Sequence, residues 1–163
     1  MSLPNYAALC DQNGGTMTNA SSQTTEALAG EKQLLFQGSL EAVETNEIDG
    51  PIIYVHGRGS VNTTELNGFT VRFEGLVHND ENGVGTGILI AHYAAPNGDG
   101  FFAEASGRGA PTSTLGVNRI VEEYNINSGT GRFAGVSGSF IVERLLTLAT
   151  GVSSGTVSGT IVP

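Results

Sequence analysis

Side chains that could bind a ligand or transfer a proton occur within alternating apolar runs of this sequence. Arg119 and Glu123 lie four residues apart in one run. In another run, His56 is flanked two residues away by Tyr54 and Arg58. An arginine or a histidine can stabilise developing negative charge, and a glutamate can transfer a proton. Arg119, Glu123 and His56 are therefore the candidate catalytic residues.

A few polar groups around an apolar cavity are a common means of orienting a ligand. The candidate ligand-binding residues are Tyr54, Arg58, Phe73 and Glu104. The alternation is compatible with two locations for these side chains. They point into the mouth of a barrel, or they lie on its exterior, in solvent or at a subunit interface. The charged pair Glu143 and Arg144 is open to the same two interpretations.

Metal and cofactor sites are not predicted. The histidines His56, His78 and His92 lie on separate strands or turns, without the i+2 or i+4 spacing of a local metal site. The single cysteine, Cys10, excludes an intramolecular disulfide and a multi-cysteine metal site. The glycine-rich segment 129–135 lacks the lysine and the following helix of a phosphate-binding loop. We expect it to form a turn in which Phe133 is an apolar plug.

Composition excludes some partners. Sixteen acidic residues against seven lysines and arginines give a formal net charge of −9, so nucleic acid and anionic membranes would be repelled. No apolar run approaches the roughly 20 residues of a membrane span. Residues 1–30 lack the pattern of a signal peptide. We expect a soluble protein, either cytoplasmic or secreted after removal of a signal.

The chain divides into two parts that differ in composition and in hydrophobic periodicity. Residues 1–31 are polar and have no sustained period, and they predict an N-terminal arm that is partly disordered or packs on a neighbouring subunit. Residues 32–163 predict one β domain, in which short alternating runs end in turn-forming residues. A further turn is predicted over residues 46–50. The runs span residues 33–45, 52–61, 69–78, 85–95, 101–108, 117–126, 138–149 and 152–162.

Eight runs at this spacing favour a barrel or a sandwich, and barrel closure removes exposed strand edges. The segment from Ser128 to Phe140 (SGTGRFAGVSGSF), continuing through Glu143-Arg144 and Thr150-Gly151 to Thr160, resembles the closing strands of the allene oxide cyclase and dirigent superfamily. The resemblance implies an eight-stranded antiparallel β-barrel with an apolar cavity, assembled as a homotrimer. It also implies a protein that steers the cyclisation or coupling of small molecules.

Two functions are consistent with these features. The first is a barrel that binds an apolar or amphipathic small molecule and guides its cyclisation or isomerisation without a cofactor. The alternative is a non-catalytic structural or interaction barrel whose interior is simply core. A cavity in the barrel, and the side chains that point into it, would distinguish the two.

Overall fold

The structure is a computed structural model that describes residues 32–163. The arm predicted over residues 1–31 lies outside the described residues. Eight antiparallel strands and one short 3-10 helix follow one another along the chain. The strands are β1 (Leu34–Asp49), β2 (Ile52–Thr63), β3 (Asn67–Asn79), β4 (Gly85–Ala94), β5 (Gly100–Pro111), β6 (Val117–Thr130), β7 (Ser137–Thr147) and β8 (Val152–Val162).

The sheet closes into a barrel. Each strand pairs with the next along the chain, and β1 also pairs with β8, where Leu34 lies opposite Ile161. Side chains alternate between the interior and the exterior because successive residues of a strand point to opposite faces. In β3, for example, Phe69, Val71 and Phe73 are buried while the residues between them are exposed. The eight-stranded antiparallel barrel is therefore confirmed.

Aromatic rings fill one end of the barrel. Phe36 lies at the centre of this group, with ring centroids 4.7 to 5.8 Å from those of its neighbours Phe69, Tyr93, Phe101 and Phe140. Most of these contacts are edge-to-face, a favourable geometry for aromatic pairs. The 3-10 helix Gly131–Phe133 lies in the turn between β6 and β7. Its Phe133 is buried against Phe69 and Phe101, which confirms the predicted apolar plug.

The turn predicted over residues 46–50 is wrong in extent. β1 continues to Asp49, which pairs with Ile52, and the turn consists of Gly50 and Pro51. Gly50 adopts a φ of 60°, a conformation that glycine reaches without strain. Residues 46–49 remain in the strand because they pair with residues 52–55 of β2. In residues 32–163 no helix is long and apolar enough to cross a membrane.

Candidate functional site

The barrel end opposite the aromatic rings contains a cavity of about 100 Å³. Four inward positions beside it are glycines, which form two cross-strand pairs between β4 and β5: Gly85 with Gly109, and Gly87 with Gly107. This wall therefore presents backbone to the interior. A side chain at Gly107 would place its Cβ 2.8 Å from Cγ of Glu122. The absence of a side chain at Gly107 therefore leaves space for the side chain of Glu122.

The other walls of the cavity are mostly apolar, and its rim is amide-rich. The rim includes Asn46, Asn79 and Asn118, one each from β1, β3 and β6. Asparagine can donate and accept hydrogen bonds, so this rim suits the passage of a polar group. The apolar lining residues are Ile53, Val55, Val77, Leu89, Ile120, Leu146 and Leu148.

Glu44, Glu122, Arg144 and Ser153 form a buried ion cluster at the inner end of the cavity. Arg144 Nη1 lies 2.7 Å from Oε2 of Glu44, and Nη2 lies 2.9 Å from Oε1 of Glu122. Arg144 Nη1 also donates to Oγ of Ser153 at 3.1 Å. All three charged side chains are at most 4% exposed. The four residues come from β1, β6, β7 and β8, so closure of the barrel assembles the cluster.

The ion cluster has a fixed arrangement of charge. Burial alone would lower the pKa of Arg144, but the charges and hydrogen bonds of Glu122 and Glu44 outweigh burial and raise it above its ordinary value. The guanidinium therefore stays charged. Its central carbon also lies 5.2 Å from the centroid of the Phe73 ring, a cation–π contact. Charged groups held in this way need no reorganisation when a ligand arrives.

Two tyrosines of the packed aromatic group, Tyr93 and Tyr124, lie near enough to the ion cluster to feel its charges. Burial, followed by the negative charge of Glu122, raises the pKa of both Tyr93 and Tyr124 well above the ordinary value. Tyr124 stacks on Phe140 with ring centroids 4.9 Å apart. Both phenols consequently remain neutral and contribute to the packed core.

The sequence-predicted catalytic residues lie on the outer face of the barrel. Arg119 pairs with Glu143 at 2.9 Å, and both side chains are half-exposed. Glu123 is exposed on the same strand as Arg119. His56 lies on β2, 3.8 Å from Glu74. Because β2 and β6 are not neighbours, the structure does not bring His56 together with the other two.

The predicted ligand-binding residues divide between the two faces. Phe73 points inward and contacts Arg144, whereas Arg58 is exposed. Tyr54, Glu104 and the candidate catalytic residue His56 line one shallow groove on the outside of β2 to β5. Their roles in ligand binding stay predictions, and they concern a surface groove that is separate from the internal cavity.

The sequence analysis did not predict Glu44, Glu122 or Ser153 as site residues, although the alternation contained a signal for the two glutamates. Glu44 continues the inward series of Leu40 and Ala42 in β1. Glu122 is in phase with the buried Tyr124 and Ile126 in β6. A carboxylate in phase with a core face is costly to bury unless it has a partner. Such positions therefore indicate an internal ion pair.

Within residues 32–163, no three histidine, cysteine, aspartate or glutamate residues are grouped as a metal site would need.

No family model and no curated protein matches the chain. Among solved structures, the barrel is similar to that of a pterocarpan synthase dirigent protein, with a TM-score of 0.49 and 14% sequence identity over 80% of this chain and 89% of that one.

Proposed function

We propose that the protein is a small-molecule-binding β-barrel that takes an apolar or amphipathic ligand into the cavity and guides its cyclisation or isomerisation without a cofactor. The observation that carries the proposal is the cavity itself, whose apolar walls end at a buried ion cluster. In a barrel whose interior served only as a packed core, buried charges next to an unfilled cavity would have no evident role. Residues 128–160, through their resemblance to barrels that steer small molecules, point the same way.

The size of the cavity limits what it can hold. Engineered cavities of about 150 Å³ admit benzene, and pockets for drug-sized ligands span roughly 300–1,000 Å³. At about 100 Å³, this cavity suits a small ring or the end of a longer molecule that extends past the asparagine rim. Holding one end of a flexible molecule restricts its conformations, and restriction to a near-attack geometry accelerates ring closure or isomerisation.

Filling the cavity tests the proposal. Leu146 lines the cavity and is buried, whereas its neighbour Leu145 is half-exposed on the outer face. We expect Leu146→Phe to abolish binding of small cyclic hydrocarbons and alcohols, and Leu145→Phe to bind them like the wild type. Binding is measured by native mass spectrometry and by ¹H–¹⁵N shifts of Gly85, Gly87 and Gly109. Circular dichroism verifies that each variant is folded.

Failure of the wild-type protein to bind any member of such a series would contradict the proposal. Equal binding by both leucine variants would place the ligand elsewhere, for example in the outer groove beside His56. If Leu146→Phe does not fold, Gly109→Ala serves as a milder filler. Its Cβ would meet only the side chain of Ile120 closely, at 3.3 Å, and that side chain can move.

An interaction role for the outer surface is the second candidate. Large apolar side chains lie exposed on adjacent strands of one face, among them Leu76, Ile88, Ile90 and Phe102. Contiguous exposed apolar surface commonly marks an association site. We propose that this face is buried in a homotrimer. Light scattering of the wild-type protein should then give three times the 16.8 kDa chain mass. The variant Ile88→Lys should lower that mass. The control variant Leu115→Lys, in an exposed loop, should leave it unchanged.

A further inference from the structure

Arg144 has little remaining capacity to donate hydrogen bonds to a ligand. A guanidinium has five N–H groups. Nε donates to Oε2 of Glu122 at 3.4 Å and Nη2 to Oε1 of the same residue at 2.9 Å. Nη1 donates to Glu44 and to Ser153. Four of the five N–H groups are therefore committed within the cluster, and the central carbon of the guanidinium lies over the ring of Phe73. An incoming carboxylate would find few donors here.

Glu44, in contrast, retains capacity to accept hydrogen bonds. Its Oε2 receives the bond from Arg144, while Oε1 receives, from the described residues, only a long bond of 3.3 Å from Nδ2 of Asn46. A carboxylate oxygen can accept two hydrogen bonds. Both Glu44 and Asn46 line the cavity. Among the carboxylate oxygens of the ion cluster, Oε1 of Glu44 is the one that Arg144 does not contact, and Glu44 lines the cavity that a ligand enters.

The formal charge of the ion cluster also favours a cationic ligand. Two carboxylates face one guanidinium, so the formal charge of the cluster is −1. The other polar rim groups are the neutral amides of Asn46, Asn79 and Asn118. Arg108 also borders the cavity, but its position in the β5 alternation puts its exposed side chain on the outer face. In a low-dielectric cavity, an uncompensated negative charge attracts cations more strongly than it would in water.

We infer that the cavity selects ligands whose polar end is a protonated amine, with the ammonium group held at Oε1 of Glu44 and the apolar part against the cavity walls. This inference rests on the proposed function and specifies its ligand class. An ammonium group supplies three donors and positive charge, and so complements both the spare acceptor and the formal charge. A carboxylic acid of the same size is disfavoured on both counts.

A matched series of ligands tests the inference. Cyclopentylamine, cyclopentanol, cyclopentane and cyclopentanecarboxylate share one small ring and differ in the polar group. At pH 7 we expect the amine to bind the wild-type protein about tenfold more tightly than the alcohol, a difference of about 1.4 kcal/mol. The carboxylate should bind most weakly. Because the contact is buried, raising the salt concentration should change the preference for the amine only slightly.

Two variants test whether Glu44 causes the preference for the amine. Glu44→Gln removes the charge but keeps an oxygen that can accept from Arg144, so we expect it to bring amine affinity down to that of the alcohol. Glu143→Gln makes the same change one residue from Arg144 on the outer face and should leave the preference intact. The wild-type ranking decides the question even if Glu44→Gln does not fold.

The outcomes separate this inference from the function on which it rests. Comparable affinities for all four ligands, or tighter binding of the carboxylate, would overturn the selection for amines and leave the binding function standing. A wild-type protein that binds none of the four would overturn both. An amine preference that survives Glu44→Gln unchanged would refute the assignment to Glu44.

Discussion

Arg144 donates two hydrogen bonds to Glu122 across the β6–β7 pair, in the interior of the barrel. Within the same β6–β7 ladder, Arg119 pairs with Glu143 on the exterior. The first pair is buried and the second is half-exposed, and Arg144 also pairs with Glu44 from β1. They therefore permit direct comparison of a buried and an exposed ion pair within one ladder.

Replacing Arg144 should cost far more stability than replacing Arg119. Arg144→Met leaves Glu44 and Glu122 buried without a cation, and loss of one partner of a buried pair typically costs about 3–5 kcal/mol. Arg119→Met breaks a solvated pair and should cost less than about 1 kcal/mol. Urea unfolding gives both values. Similar losses for the two variants would show that the buried charges are not held by their pairing.

Gly107 should be far less tolerant of alanine than Gly109. A Cβ at Gly107 would meet Cγ of Glu122 at 2.8 Å and the carbonyl oxygen of Val121 at 3.2 Å, whereas at Gly109 the nearest atom is Cγ1 of Ile120 at 3.3 Å. Overpacking of this kind costs about 1–3 kcal/mol. We expect Gly107→Ala to lose stability in that range and Gly109→Ala to lose less, as measured by thermal unfolding. The reverse order would mean that Glu122 has another position available.

Phe133 should stabilise the aromatic end. Truncation of a buried phenylalanine costs about 3–5 kcal/mol, and Phe133 contacts the rings of Phe69 and Phe101. Ile141→Ala, which truncates a half-exposed apolar side chain on the outer face of β7, is the control. Chemical denaturation should show a clearly larger loss for Phe133→Ala. A loss no greater than that of the control would show that the plug is dispensable.

Stability should fall in alkali because of the buried phenols. The pKa of Tyr93 and of Tyr124 is raised in the folded barrel, first by burial and then by Glu122, above a value of 10.0 for an ordinary tyrosine. Above about pH 10 the unfolded chain releases these protons while the folded protein keeps them. The free energy of unfolding therefore decreases as pH rises through this range, and the contribution is fully present at lower pH.

Removing one phenol tests this assignment. Tyr124→Phe should flatten the fall in unfolding free energy between about pH 9 and 11, whereas Tyr54→Phe, at an exposed position, should not change it. Urea titrations at a series of pH values provide the measurement. An unchanged slope in Tyr124→Phe would assign the alkaline loss to other groups.

Much of the fold could be predicted from local pattern. Alternation identified the eight strands, and the apolar Phe133 within a glycine-rich turn indicated a plug. Strand ends were harder to place, because residues 46–49, three of which are polar, look like a turn by composition but pair with β2 in the barrel. That pairing depends on a neighbouring strand, which composition alone does not reveal.

The internal site was less accessible to sequence reasoning. Alternation left open which of Glu143 and Arg144 faces inward, and the structure places Arg144 inside. Glu44 and Arg144 are 100 residues apart, and they meet because β8 lies between β1 and β7 in the closed barrel. Their proximity results from closure and register, so no local motif records it.

The aromatic end also has a kinetic consequence. Because packed rings fill that end, a molecule held in the cavity must arrive and depart through the same asparagine-lined opening. A second molecule therefore cannot enter from the aromatic end and displace it. If the barrel converts its ligand as proposed, a product must leave before the next substrate enters, and an unreleased product would inhibit by blocking that path.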